Sequence, residues 1–405
     1  MKVINFTSGF DINYPGGITN YVRDLHLNLI NKSIDSKIIS AQMEGVFSTS
    51  IKPDFEFYVD KYRRFSYKFC KANKDDDALE AYILQENPDV IHFHSIYGVS
   101  ERFINFIINS KFKYVISLHD YYLVCPRIFM MDCNGSPCRR IDLTKCKKCI
   151  SSFENIDFIR KLLGKLKIKA PKMENQYLNR RANLISDFFS RSKKILPVSK
   201  GVEKIFSDFL PSPNYLTLNI GNASADNFAK KEKSLKGSIE VAFLGTLNKH
   251  KGAELFIDIA SKVKNELINF CFYGRADKYY SSLLAVNNIK NNGPYSPSNL
   301  SKILCDIDLG FVLPIWEDNG PQVVMELLNN GVPVVGTQVG GIPDFIQHLK
   351  TGYLFHPDSL IEIENTISWL NSITIDDVYN LSGNIKRLKT VDEHSQELID
   401  IYNEL

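Results

Sequence analysis

The feature that most constrains this chain is a repeated alternation. Short, nearly unbroken apolar runs lie at 2–7, 90–94, 114–118, 194–197, 241–244, 270–273, 308–313 and 333–336, with helical stretches between them. Several end in Gly, His or Ser where a loop or helix should begin. A strand that is apolar on both faces must be covered on both faces, which calls for parallel sheets sandwiched by helices. Ligands of such sheets bind beyond the carboxyl ends of the strands. At 405 residues the chain is too long for one core, so two domains are expected.

The alternation has a seam. Residues 210–236 are polar and irregular, with PSPN and NIGNAS turn signals, and a fresh strand starts at Ile239. The expected domains are 1–215, with 384–405 joined to it, and 216–383. Residues 392–405 read as one helix. A hydrophobic content of 44% and a charged content of 23% suit a soluble globular protein, and a net charge of +3 gives no case for nucleic-acid binding. The opening MKVINFTSGF reads as a strand, not as a secretory leader, and no apolar run reaches the ~18 residues of a membrane span. A cytoplasmic location follows as the expectation, with the eight cysteines as thiols or metal ligands.

The segment 158–200 is basic. Arg160, Lys161, Lys165, Lys167, Lys169, Lys172, Arg180, Arg181, Arg191, Lys193, Lys194 and Lys200 outnumber Glu174 and Asp187, and apolar residues interleave at helical spacing from Phe158 to Leu166. Such a stretch fits either an anionic membrane surface, at the inner face of the cell membrane, or a solvated helix face.

The stretch from Trp316 to Gly341, WEDNGPQVVMELLNNGVPVVGTQVGG, is the most informative. Pro321 suits the first position of a helix, where its missing N–H has no helical partner. Val323, Val324, Leu327 and Leu328 form an apolar stripe, Glu326 falls off it, and Gly331 sits just past the end. Free amides of Gln322 and Val323 at this N-terminus suit a phosphate. Asp318 would then lie beside the phosphate's substituent and Glu326 beside whatever lies on its other side. A nucleoside diphosphate-sugar has that shape, and carboxylates accept strong hydrogen bonds from hydroxyls.

Asp318 and Glu326, with seven residues between them, resemble the acid-x7-acid motif of retaining glycosyltransferases of family 4, in which the first acid is usually Glu. The resemblance implies the GT-B fold: α/β, two Rossmann-like domains facing a deep cleft, with a C-terminal helix crossing back to the N-terminal domain. It implies that Asp318 contacts donor-sugar hydroxyls, with Glu317 as a neighbouring competitor, and that Glu326 holds the ribose. Gly320, Gln322 and Val323 join the donor site. FLGTLNKHKG looks like the family's strand–Gly–basic loop, in which an Arg and a Lys five apart grip the diphosphate. Lys251 matches, Thr246 stands at the Arg position, and the second charge falls to Lys249 or Arg275. FYGRAD and NNGPY resemble the segments around the base, placing Pro294 and Tyr295 near it. YPGGITNYVRDL resembles the loop where Gly16 and Gly17 let the backbone approach donor and acceptor. NPDVIHFHS and ISLHDYY resemble the two His-bearing strand ends, with His119 on the donor sugar and His94 on the acceptor side.

The activity implied is hexosyl transfer from a nucleotide sugar, with retention, to a glycan or lipid-linked oligosaccharide in bacterial surface-polysaccharide assembly. Lys251 and the helix amides would stabilise the departing diphosphate, with no cofactor required for catalysis. Three alternatives stand beside it: a GT-B nucleotide-sugar epimerase, against which the Asp318 and Glu326 pattern argues; a catalytically silent sugar-nucleotide-binding protein, favoured by Thr246 and Asp318; and a cysteine-ribbon interaction module, which explains only about 25 residues.

Cysteines 125, 133, 138, 146 and 149 cluster in 25 residues. Cys146 and Cys149 have the two-residue gap of a metal knuckle. By resemblance to a subset of the family with cysteines at matching places, Cys125 and Cys138 complete a structural Zn site.

Overall fold

The computed structural model describes residues 1–8, 17–43, 52–59, 69–150, 175–229 and 237–405. Its strands are β1 (Lys2–Ser8), β2 (Asp35–Met43), β3 (Phe55–Val59), β4 (Val90–Phe93), β5 (Tyr114–Leu118), β6 (Lys194–Pro197), β7 (Ile239–Leu247), β8 (Ile268–Ala276), β9 (Lys290–Asn291), β10 (Leu309–Val312), β11 (Val334–Thr337) and β12 (Gly352–Phe355). They form two six-stranded sheets, ordered β3-β2-β1-β4-β5-β6 and β12-β11-β10-β7-β8-β9. All pairings between these strands are parallel.

The chain divides into two compact units, one of Met1–Asn219 with Val391–Leu405 and the other of Ile220–Thr390. The division after Asn219 lies four residues beyond the expected seam at 215, and the returning segment starts at 391, not 384.

In the first unit Phe6 of β1 is fully buried, with the rings of Phe57, Phe93 and Phe103 5.1 to 5.5 Å away. Burying one such side chain contributes about 1.5–3 kcal/mol. Helix Val391–Glu404 belongs to this core. It packs on helix Gly17–Asn31, burying Leu398, Ile401 and Tyr402. In the second unit successive residues of β7 serve opposite layers. Val241 and Phe243 pack with Phe256, Phe272 and Phe311, whereas Ala242 and Leu244 pack with Val324, Leu327 and Leu328.

Strands β2, β3, β9 and β12 fall outside the expected apolar runs. Three of them are sheet edges and β2 lies next to one. β3 shows an alternating burial pattern and both residues of β9 are exposed, so their sequences lack the unbroken apolar signature of central strands.

Candidate functional site

The second unit gathers the acid-bearing loop, the basic loop and a helix N-terminus. Helix Gln322–Asn329 starts one residue later than expected. Pro321 is its N-cap, accepting the Val324 N–H at 2.9 Å. Gln322 and Val323 are therefore the first helical residues, at the end where N–H groups lack helical partners. Val324, Met325, Leu327 and Leu328 are buried, and Gly331 closes the helix at φ 70°.

The two acids of the loop are committed differently. Glu317, 7% exposed, accepts the Gly340 N–H at 2.7 Å and so holds the glycine turn after β11. Asp318 accepts from Lys251 Nζ at 2.7 Å, its side chain 11% exposed, while its carbonyl accepts the Gly341 N–H at 2.7 Å. Gly340 must be glycine here: φ is 55° and a Cβ would lie 2.0 Å from the Asp318 carbonyl oxygen.

Lys251 is fixed at both ends. Its amide donates to Asn248 Oδ1 at 3.0 Å, and its ammonium lies 5.3 Å from the Trp316 ring centre as well as on Asp318. Gly252, at φ 85°, lets the backbone pass so close to β10 that a Cβ would sit 1.8 Å from the Leu313 oxygen. The ammonium is thereby held at a chosen point, which suits it to a localised anion.

Thr246 is exposed at the end of β7 and pairs in register with exposed Arg275 on β8. The cation absent from position 246 thus stands on the adjacent strand, at the same end of the sheet. Lys249 is also exposed, in the loop before Lys251, and Pro294 is exposed beyond β9. Gly320 is half-buried before the helix. Glu326 is half-buried, and burial raises its carboxyl above the ordinary value. Its carboxylate makes no hydrogen bond among the described residues. Tyr295 is close by: burial, followed by the Glu326 charge, pushes its phenol up to about 12.

In the first unit, His94 follows β4 and His119 follows β5. The expectation for His94 was an acceptor contact. Its ring is 1% exposed, with Nδ1 3.2 Å from His119 Nε2 and Nε2 3.1 Å from Asn5 Oδ1. Both nitrogens are spent, so His94 backs His119 from within. His119 is only half-buried. Burial and then His394 pull its imidazole down to about 3. Tyr21 lies 4.6 Å from the His119 ring and its hydroxyl pairs with His394 Nε2 at 2.7 Å. His92 stacks 3.9 Å from His94 and bonds Tyr402 at 2.5 Å and Ser117 at 2.8 Å. Asp120 is pushed up to about 6 by burial. Sequence reasoning passed over Asn5, Tyr21, His92 and Asp120. The signal for Asn5 is a carboxamide inside the apolar run of β1. Gly17 opens its helix; Gly16 lies outside the described residues.

Cys146 and Cys149 lie on helix Leu143–Cys149, and burial, followed by charge on neighbouring cysteines, raises the thiols of Cys125, Cys146 and Cys149. Among the described residues, however, no three His, Cys, Asp or Glu side chains are grouped to hold a metal ion. Cys149 packs instead with Ile150, Tyr177 and Leu178.

The basic segment is only partly described. Arg160 to Lys172, with the apolar stripe, lie outside the described residues. Further on, Arg181 is 5% exposed and donates to the Tyr122 and Leu123 carbonyls, and Arg180 pairs with Glu101 at 3.0 Å. These two cations serve the fold. Among the described residues no helix is long and apolar enough to cross a membrane.

With this geometry in place, the chain can be set beside known proteins. Residues 224–378 match the family Glycosyl transferases group 1. Over 139 residues the chain is 29% identical to the sulfoquinovosyl transferase SQD2 of Arabidopsis thaliana, covering 34% of this chain and 26%, about a quarter, of that relative. A longer similarity, 25% identity over 343 residues, covers 84% of this chain and 76% of an uncharacterized 42.6 kDa protein in the cps region of Klebsiella pneumoniae. Anabaena Alr3699/HepE, solved in complex with UDP, superposes with a TM-score of 0.67 at 14% identity, covering 100% of both chains. The fold is therefore GT-B.

Proposed function

We propose that the chain is a retaining glycosyltransferase that moves a hexosyl unit from a nucleoside diphosphate-sugar to a glycan or lipid-linked acceptor in surface-polysaccharide assembly. The observation that carries the reading is the second unit's constellation. A fixed ammonium at Lys251 and a helix N-terminus at Gln322 suit a diphosphate, and the half-buried carboxylate of Glu326 beside Tyr295, with no hydrogen-bond partner among the described residues, suits a ribose diol. The UDP and UDP-glucose bound by the Anabaena neighbour, and the cps region of the Klebsiella relative, support the donor class and the pathway.

On this reading the bond between the anomeric carbon and the diphosphate oxygen breaks while the acceptor oxygen bonds to the same face. The leaving phosphate oxygen takes the acceptor proton. Charge grows on the diphosphate as the bond lengthens, where Lys251, the helix amides and Arg275 meet it. Asp318 in the second unit and His119 in the first are each assigned the role of accepting from a sugar hydroxyl.

The test is a thermal-shift panel of UDP, GDP, ADP and dTDP, with and without attached hexoses. A cognate nucleotide stabilises by mass action, by about 2.7 kcal/mol at a hundredfold excess over Kd. A protein that responds to none of them is not a nucleotide-sugar enzyme.

A further inference from the structure

We propose that Asn5, Ser36 and His94 are positioning residues that set the tautomer of His119, leaving its Nδ1 as a bare hydrogen-bond acceptor for a sugar hydroxyl. The proposal rests on the sugar-directed role given to His119 above.

The argument follows a buried chain of bonds. Asn5 is fully buried in β1 and its Nδ2 donates to Ser36 Oγ on β2 at 3.0 Å. The other head atom, Oδ1, therefore faces His94 Nε2, 3.1 Å away. An amide oxygen only accepts, so His94 carries its proton on Nε2. In a neutral ring Nδ1 is then a lone pair, and it faces His119 Nε2 at 3.2 Å. His119 must donate there. Its one proton is spent on Nε2, and Nδ1 is left unprotonated. That atom makes no hydrogen bond among the described residues, on a ring that is half-buried, not sealed. At the other end Ser36, having accepted from Asn5, gives its own proton to His26 Nδ1 at 2.9 Å.

Neutrality of the rings follows from crowding. His92 lies 3.9 Å and His119 5.4 Å from the His94 ring, with His92 and His94 buried and His119 half-buried. Burial first, then the neighbouring imidazoles, hold His92 and His94 well below the ordinary histidine value.

The chain is all-or-none. Turning the Asn5 amide over would reverse every bond in it. Ser36 would donate to Oδ1, Nδ2 to His94, and His94 Nδ1–H to His119. His119 would then present an N–H outward. One carboxamide, two hydrogen bonds from the imidazole that meets the sugar, thus chooses between a site that accepts from a hydroxyl and one that donates to it.

The experiment is imidazole nitrogen-15 NMR on the full chain at pH 7.5, where the two ring nitrogens of each neutral tautomer differ in shift. His94 and His119 are expected as Nε2–H forms. A His119 proton on Nδ1 overturns the proposal. In Asn5→Leu, which removes both head atoms, His119 should become a mixture of tautomers. Its glycosyl transfer rate should fall about tenfold while UDP affinity stays within twofold. A mixed tautomer with an unchanged rate also overturns it. If Asn5→Leu does not fold, the wild-type spectrum still decides the tautomer. Wild-type protein that binds no nucleotide sugar would instead sink the transferase reading, which the tautomer measurement does not address.

Discussion

Three carboxylates within ten residues carry different loads: Glu317 is tied to a backbone amide, Asp318 to an ammonium, and Glu326 to nothing described. The substitutions should separate accordingly. Glu326→Gln should weaken nucleoside diphosphate binding by about 1–3 kcal/mol and leave the melting midpoint unchanged, since a charge-assisted acceptor is lost without loss of packing. Calorimetric titration with the diphosphate measures it, and unaltered affinity would return Glu326 to a plain helix flank. Glu317→Ala should do the reverse, costing about 1–3 kcal/mol of stability by orphaning the Gly340 N–H. Lys251→Ala should lower kcat more than it raises KM for the donor, because its partner's charge grows only as the sugar departs. A rise in KM alone would make it a ground-state anchor. The acid pair, Lys251 and the two His-bearing strand ends were legible in the sequence. The partition between Glu317 and Asp318 was not, because their partners lie 23 and 67 positions away.

At the scale of elements, central strands announced themselves and edges did not. A run such as β7 is apolar on both faces because helices cover both. β3, paired on one side only, keeps an alternation that several other local structures share. The loops behave similarly. The Gly-Gly turn after β11 was legible as a turn, but its reason, the close pass of the Asp318 backbone, needs the third dimension. That contact makes a further prediction. Gly340→Ala should force a shift in the acid-bearing loop, lowering stability by about 1–3 kcal/mol from the positive φ alone and weakening donor binding with it. Normal donor affinity in a destabilised Gly340→Ala protein would mean that the loop and Lys251 move independently.

For the molecule as a whole, the buried imidazoles set a stability profile. His92, His94 and His119 have folded values below the unfolded ~6.5, so the unfolded chain binds protons first. The stability is full above ~6.5 and is lost as pH falls towards the folded values, about 3 for His119. Each histidine that stays neutral costs about 1.4 kcal/mol per pH unit on the way down. Denaturant midpoints at pH 7.5, 6 and 5 should therefore fall in order, and a flat series would mean that the imidazoles are protonated without penalty. The two-domain α/β plan was legible from alternation and length. The histidine cluster was not, because it is assembled from β4, β5 and a helix some 270 residues later, which shares no local pattern with them.

That last helix has a consequence for how the chain is made. Residues Val391–Leu405 complete the unit begun by Met1–Asn219, after an intervening unit has been finished. Until they leave the ribosome, His92 lacks the Tyr402 hydroxyl and helix Gly17–Asn31 lacks its apolar cover. At about 5–20 residues per second the interval is on the order of 10–40 s. The unit that is begun before the other is thus completed after it. During that wait the nascent chain exposes an incomplete apolar face that a chaperone can hold, and a chain that stops before Val391 would leave that face open for good.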